Sequence, residues 1–447
     1  MKSFLLLSVL VFLSFITNAQ VQIRPLPTAG YEKRIKDFID DMSVVDTHEH
    51  ILSQTELKQR TSLDFMVLLN HYSADDIKSA GMSDRTFKLL MKDSLTVKEK
   101  WQMLKPYWEG SSNTSYNRVA LLAADKLFNI KDINESTVEE LSEKIAKAYQ
   151  TDWINKIMEK CKIDFLIQMN PGRSSGNDRF RYVKWFDDFI SINSKQKINS
   201  ISRQQKISIQ TLEALTEALE TSFKKANDQG IIAFKSALAY SRILYYENVN
   251  KERAQEVFNT IMNSPGDKPL SFNDVKPLQD YIMHRVLDLA KSYKIPVIIH
   301  TGLQSGNGAV IENSNPTHLV NLFREYPDVN FVLLHGGYPY GGETATIAKY
   351  FRNVYLDLAW IYVISPSFSE RYLHEWLETV PASKIMGFGG DYLNIENVYG
   401  HLLFAKQIVS RVLTDKVKDG YFSESEAINI ARMILHDNAV NFYKLVP

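Results

Sequence analysis

Residues 295–300 read IPVIIH, a continuous apolar run that ends in a histidine. Residues 330–335, NFVLLH, repeat this design, and apolar runs without polar alternation are typical of strands that are covered on both faces. Six further runs predict strands: SVVD (43–46), IDFLIQM (163–169), RYVKWF (181–186), IIAFKSA (231–237), NVYLDL (353–358) and KIMGFGG (384–390). Helical patterns lie between them at 208–229, 276–293, 316–326, 342–351 and 367–379. Eight strands that mostly alternate with helices predict an α/β fold, a (β/α)₈ TIM barrel.

A doubly wound sheet is the competing fold, but no glycine-rich phosphate turn follows the first strand. We expect one barrel domain over 21–447 with a helical insertion at about 55–160, and a second insert at 241–294. Ser73, Ser83 and Thr137 are the helix N-caps predicted in this part of the chain. The first insertion is rich in aromatic residues, which suit either a lid over the site or the core of a helical layer: Phe65, Tyr72, Trp101, Tyr107, Trp108 and Tyr116.

The composition excludes several classes of protein. The 447 residues are 45% hydrophobic and carry 52 basic and 52 acidic side chains, so the chain is neither a disordered tail nor a basic nucleic-acid binder. Cys161 is the single cysteine, which excludes an intramolecular disulfide and a cysteine-rich metal site. We expect it to be a buried apolar side chain.

The first 20 residues have the pattern of a secretory signal peptide. One lysine precedes an apolar run over 4–16, and small residues suit cleavage after Ala19 or Gln20. An uncleaved membrane anchor is the alternative, but the run is too short to span a bilayer. We therefore expect an exported protein, periplasmic or secreted, without a membrane span once the signal is removed.

Five possible metal ligands fall at the ends of predicted strands. His48 and His50 are two residues apart, so on an extended chain both point to the same side. His300, His335 and Asp391 each follow a strand, and the carboxyl ends of barrel strands meet at one face, where active sites lie. Imidazole nitrogen with carboxylate oxygen suits zinc, manganese, iron or nickel. We predict a site for one or two divalent transition-metal ions, with zinc preferred.

The motifs VVDTHEHI, GIIAFKSALAYSR, IIHTG, LLHGGYPY and GFGGD, in this order, resemble the amidohydrolase superfamily. HYSADDIKSAGM (71–82) and HDNAVNFYKL (436–445) resemble its amidohydrolase-related branch, which includes decarboxylases. The resemblance implies four ligands to a first metal: His48, His50, His300 and Asp391.

The same resemblance gives His335 two alternative roles, a ligand to a second metal or an acid/base group. Lys235 lies where some relatives carry a carbamylated lysine that bridges two metals, and an ordinary salt-bridged lysine is the alternative. The Gly389-Gly390 pair departs from the pattern, because relatives often carry a serine before the aspartate.

These residues predict a hydrolase in which metal-activated water attacks an amide or lactone of a small molecule. Asp391 would transfer the proton and His335 would polarise the carbonyl or donate a proton. Arg242 is predicted to grip a substrate carboxylate, with Tyr338 and Tyr340 beside it, although packing roles suit all three. The alternatives are a decarboxylase or uronate-type isomerase on the same barrel, and a binding protein with a vestigial site. A monomer and a homodimer both stay open.

Overall fold

The computed structural model describes residues 28–169, 178–266 and 268–446. Within them, eight parallel strands lie side by side in chain order. They are β1 (Val44–Glu49), β2 (Ile163–Gln168), β3 (Phe180–Trp185), β4 (Ala233–Ser236), β5 (Val297–Ile299), β6 (Phe331–Leu333), β7 (Val354–Asp357) and β8 (Ile385–Met386). The predicted (β/α)₈ barrel is therefore confirmed. The predicted signal peptide lies outside the described residues.

Backbone hydrogen bonds close the barrel between β1 and the segment after β8. The amide of Thr47 donates to the Phe388 carbonyl at 3.1 Å, and the amide of Asp391 donates to the His48 carbonyl at 2.8 Å. These bonds fix the height of Asp391 relative to the two β1 histidines, because they lie in the same stretch of backbone.

Alternation along the short strands separates two apolar layers. On β5, Ile298 packs inside the barrel, while Val297 and Ile299 pack outward against the helices. On β6, Val332 points inward between two outward neighbours in the same way. Side chains two residues apart on a strand point to the same side, so His300, two residues beyond the inward-facing Ile298, points into the barrel at its mouth.

Helices surround the strands and fill the two inserts. In chain order they are α1 (Tyr31–Asp41), α2 (Gln54–Arg60), α3 (Tyr72–Ser79), α4 (Asp84–Leu90), α5 (Val97–Ser111), α6 (Ser115–Phe128), α7 (Val138–Ala148), α8 (Trp153–Cys161), α9 (Asp187–Ile190), α10 (Lys195–Gln205), α11 (Leu212–Asp228), α12 (Lys251–Asn263), α13 (Phe272–Tyr293), α14 (Val320–Glu325), α15 (Gly341–Tyr350), α16 (Ile361–Ile364), α17 (Pro366–Thr379), α18 (Ile395–Lys418), α19 (Glu424–Arg432) and α20 (Asn438–Tyr443). In the part of the chain that the structure describes, no helix is both long and apolar enough to cross a bilayer.

Helices α2 to α8 form the insertion between β1 and β2, and they enclose an apolar core of their own. Most of the predicted aromatic residues lie in or against that core, whereas Tyr72 packs with the barrel. Two of the three predicted N-caps occupy that position. Ser83 caps α4 and accepts from the Thr86 amide at 3.1 Å, whereas Thr137 precedes α7 but its hydroxyl donates to the Asp132 carbonyl instead of capping the helix. The third prediction was wrong, because Ser73 lies inside α3.

Candidate metal centre

The first strand and the segment after the last strand bring three of the predicted ligands together. His48 Nε2 lies 3.4 Å and His50 Nε2 3.3 Å from the same atom, Asp391 Oδ1. His48 and Asp391 are buried, while the His50 side chain is 21% exposed and faces the cavity. The two imidazoles therefore converge on one carboxylate oxygen at the barrel mouth.

These distances fit ligand atoms that share an ion. A charge-assisted N–H···O bond is about 2.7–2.9 Å long, which is shorter than either contact. In a tetrahedral site with bonds of about 2.1 Å, neighbouring ligand atoms lie about 3.4 Å apart. Burial also raises the pKa of Asp391 to about 7 in the metal-free chain, so a cation beside it would supply the missing counter-charge. The residues present fit a transition-metal ion.

His300 and His335 are neighbours with ring centroids 4.5 Å apart, and His335 Nδ1 lies 3.7 Å from Asp391 Oδ2. His300 Nε2 lies 2.8 Å from the Leu303 carbonyl, and His335 Nδ1 lies 3.1 Å from the Ala359 carbonyl. When each carbonyl accepts an N–H, the remaining lone pairs face each other, His335 Nε2 to His300 Nδ1, at 3.0 Å. Burial lowers the pKa of both rings, to about 3 for His300, so an additional proton is disfavoured and both imidazoles stay in the neutral form that can bind a metal.

His335 is less accessible than the other histidines. It is fully buried and does not line the cavity, although His48, His335 and Asp391 each offer an atom within 4.8 Å of the others. We favour His48, His50 and Asp391 as the first ligand set, because both Nε2 atoms face one Asp391 oxygen, whereas His335 Nε2 faces His300 and His335 does not line the cavity. A direct catalytic role for His335 stays a prediction.

Lys235 lies inside the barrel mouth at the end of β4. Its ammonium group is buried and makes no hydrogen bond to any described residue, with the Trp185 ring 5.9 Å away. Burial lowers the pKa of Lys235 to about 7, although the Asp391, Asp187 and Asp357 carboxylates oppose the change. The lysine therefore faces the cavity from the position that the resemblance implied, and its carbamylation stays a prediction.

Two buried carboxyl groups on β1 hold the segment that carries Asp391. Asp46 and Glu49 hydrogen-bond to each other, which requires a proton on one of them. Asp46 accepts from the Gly390 amide at 3.1 Å, and Glu49 accepts from the Tyr392 amide at 2.8 Å. A Cβ at Gly390 would overlap the Glu49 carboxyl group. This packing explains why a glycine precedes Asp391.

Three non-glycine residues at the mouth adopt left-handed backbone conformations. Their φ angles are 62° at His335, 67° at Trp360 and 60° at Asp391, after β6, β7 and β8 respectively. This region is sparsely populated by side-chain-bearing residues, and such strain is concentrated at functional sites. The turns redirect the chain sharply at the carboxyl ends of three neighbouring strands.

A cavity of 780 Å³ opens over this cluster. Among its lining residues are His48, His50, His71, Tyr72, Lys235, His300 and Asp391 from the centre, and Arg60, Asp187, Asp188 and Lys197 as further charged groups. It is large enough for a small organic molecule and is polar at its base.

The structure does not bring the three predicted substrate-binding residues to this cavity. Arg242 is buried and pairs with Asp280 at 2.6 Å, so its guanidinium group is held by the second insert. The Tyr338 ring packs edge-to-face on Phe368, and the Tyr340 hydroxyl donates to the Ile311 carbonyl at 3.3 Å. The packing roles, rather than substrate contact, describe these three side chains.

Two residues of the insertion reach the centre: Tyr72, which was expected either in a lid or in a helical core, and Arg60, which the sequence did not single out. The Tyr72 hydroxyl hydrogen-bonds to Asp391, and its ring stacks on Trp360 with centroids 4.4 Å apart. Arg60 lines the cavity and, together with burial, lowers the pKa of His71 to about 3. Their one signal in the sequence is position, since both lie in the first two helices after the histidine strand.

A (β/α)₈ barrel with histidines and an aspartate converging at its mouth is the arrangement found in metal-dependent barrel enzymes. Residues 262–445 match the amidohydrolase family model. The chain is 30% identical to protein fluG of Emericella nidulans over 226 residues, which is 49% of this chain and 26% of that protein. It thus spans about a quarter of that relative's length.

Two solved structures match over nearly their whole length. Uronate isomerase from Thermotoga maritima has a TM-score of 0.76 at 18% identity, covering 93% of this chain and 98% of that one. Glucuronate isomerase from Caulobacter crescentus has a TM-score of 0.73 at 15% identity, covering 95% and 97%. The C-terminal part of the chain thus matches the amidohydrolase family model, and the chain shares the fold of these two structures over nearly its whole length.

Proposed function

We propose that the protein is a metal-dependent isomerase that interconverts aldose and ketose forms of a uronic acid. The observation that carries the proposal is the full-length similarity to uronate and glucuronate isomerases, 97–98% of whose chains are covered. Such coverage takes in the helical insertion as well as the barrel. Because the insertion forms part of the cavity wall, it bears on which substrate fits.

The residues of the centre suit this chemistry. His48, His50 and Asp391 would hold the ion, with His300 as a further ligand, and zinc is our preferred metal. When bound, such an ion polarises the carbonyl and hydroxyl oxygens of a sugar. Tyr72 and Asp391 share a hydrogen bond at the cavity, so they can hold and return a proton while it moves between neighbouring carbons. No attacking water is needed.

The test follows the reaction by NMR. Zinc-loaded protein is incubated with D-glucuronate or D-galacturonate in D₂O, and we expect the ketose product with deuterium gained at the carbon that receives the proton. The variant Tyr72→Phe keeps the ring stack and removes the hydroxyl, so its turnover should fall about 10²- to 10⁴-fold. Stoichiometric metal without conversion of any uronate would refute the isomerase.

Metal-assisted hydrolysis is the second candidate, favoured by the match of residues 262–445 to the amidohydrolase model. Here Asp391 would take the proton from water and return it to the leaving group. A panel of sugar lactones and N-acyl compounds under pH-stat titration would reveal a new acid, whereas decarboxylation would release CO₂. Release of either product without isomerisation would replace our first proposal.

We also propose that residues 1–20 direct export. The apolar run over 4–16 and the small residues before position 20 support this. Expression in a Gram-negative host should give a mature protein in the periplasm that begins at residue 20 or 21, as read by mass spectrometry. Full-length protein confined to the cytoplasm would contradict it.

A further inference from the structure

A second cavity, of 600 Å³, adjoins the one over the metal centre. Arg60 and Leu393 line both cavities, so these two side chains form the boundary between them. Leu393 lies two residues beyond Asp391, and Arg60 is the last residue of α2. The second cavity is therefore a continuation of the site into the helical insertion.

Positive charge dominates this second cavity. Lys58, Arg60, Lys88 and Lys92 line it, against one carboxylate, Asp93. Over the ranges 28–169, 178–266 and 268–446, none of the four cations has an ion-pair partner, whereas Lys98 of the same insertion pairs with Glu139 at 3.2 Å. Helix C-termini favour cations, which accounts for Lys58, Arg60 and Lys88 in their last turns. This interaction with the helix ends does not neutralise the charge of the three side chains.

Polar side chains complete the lining of this cavity. Gln59, Thr61, Ser62 and Asn70 line it together with the cations. Amide and hydroxyl side chains of this kind form hydrogen bonds with hydroxyl groups of a ligand. Cations without ion-pair partners beside such polar groups fit a ligand that carries both carboxylate and hydroxyl groups.

We propose that the two cavities together bind a short oligouronide, with its reducing-end unit at the metal centre and the next uronate in the cationic cavity between Arg60 and Lys92. The inference rests on the proposed function. A glycosidic extension away from the reducing end leaves the aldehyde free, so the reacting carbons stay at the metal while the second carboxylate reaches the cations. Each cavity falls within the usual 300–1,000 Å³ of a ligand site.

Calorimetric titration of the zinc-loaded full chain with galacturonate and digalacturonate tests this. We expect wild-type protein to bind the disaccharide about tenfold more tightly, and Lys88→Met/Lys92→Met to lose about three- to tenfold for the disaccharide alone. The preference should shrink as salt rises from 0.05 to about 0.5 M. Lys98→Met, an exposed lysine of the insertion outside the cavity, is the matched control and should bind both sugars as wild type does.

Three outcomes would overturn the inference: equal affinity for the two sugars, equal losses for both sugars in the double variant, or the same loss in Lys98→Met. Turnover of both sugars is measured in parallel. Selective binding without isomerisation would support the cationic cavity and refute the isomerase. Isomerisation without preference for the disaccharide would refute the role of the cationic cavity and leave the proposed isomerase intact.

Discussion

Replacing Asp391 with asparagine should make the protein more stable than wild type when metal is absent, and should remove that advantage when zinc is bound. Burial raises the pKa of Asp391 from 3.8 to about 7 in the metal-free chain. A carboxyl group whose pKa is raised by folding destabilises the fold as the pH rises above its unfolded value, and the full effect is reached above about pH 7. Asparagine has nearly the same shape without the charge, so it removes that effect.

The magnitude follows from the same values. Each tenfold change in proton affinity is about 1.4 kcal/mol, so a rise from 3.8 to about 7 makes the charged side chain cost about 4 kcal/mol at pH 8. That value already includes the positive charge of Lys235, which favours the Asp391 carboxylate, and the variant deprives this buried lysine of its partner, which reduces the gain. We therefore expect Asp391→Asn to raise the metal-free stability by about 2–4 kcal/mol. For a chain of this length, that is about 2–4 °C in Tm.

Zinc should cancel or reverse the stability advantage of Asp391→Asn over wild type. Free zinc at about a thousand times its Kd adds about 4 kcal/mol to the wild type, whereas the variant has lost a charged ligand and gains little. Differential scanning calorimetry in EDTA and in zinc, at pH 8 and at pH 4.5, measures all four combinations. A metal-free variant less stable than wild type at pH 8, or an equal gain from zinc in both proteins, would refute the reasoning.

Three further outcomes are expected. Glu49→Gln keeps a donor and an acceptor and should hold zinc affinity within about threefold, while Glu49→Leu, which leaves a buried amide unpaired, should lower it at least about tenfold in a chelator competition. Equal losses would contradict the carboxyl pair. Arg242→Met should lower the free energy of unfolding in urea by about 2–3 kcal/mol without raising KM, since Asp280 keeps Lys276 as its ion-pair partner and the Glu247 amide as a donor but loses the guanidinium group. A raised KM at unchanged stability would restore a substrate role. Cys161 is buried, which raises the pKa of its thiol, so mass spectrometry should find iodoacetamide at pH 8 on unfolded protein only.

The strands and the central ligands could be predicted because both depend on short-range pattern. A run such as NFVLLH is apolar because both faces of β6 are covered, and its last residue falls at the carboxyl end of the strand. Parallel strands share that end, so His300, His335 and Asp391 could be assigned to one face without any knowledge of contacts. The accessibility of each side chain could not be predicted, because His335 is fully buried beside His300 and does not line the cavity, and its left-handed backbone has no signal in the sequence.

The direction of a side chain on an insert could not be predicted either. Arg242 follows β4 closely in sequence, which suggested that it enters the mouth, but Asp280 lies on α13 and the ion pair depends on a contact 38 residues away. Arg60 reaches the cavity from α2, a mostly polar helix whose sequence does not indicate that one of its charged side chains faces a cavity. An ion pair between residues far apart in the chain cannot be predicted from the sequence around either residue.

The division between barrel and insertion also separates chemistry from specificity. The metal ligands come from strand ends, where backbone bonds such as that from the Asp391 amide to the His48 carbonyl fix their positions. Arg60, which would touch the remainder of a substrate, comes from α2, and Tyr72 of α3 is the exception, an insertion residue that takes part in proton transfer. The insertion is held to the barrel side by the buried Glu396, which accepts from Trp153 at 2.9 Å. Apart from Tyr72, substitutions in α2 to α4 should therefore change which sugar acid is bound, while changes at the strand ends should change whether any is converted.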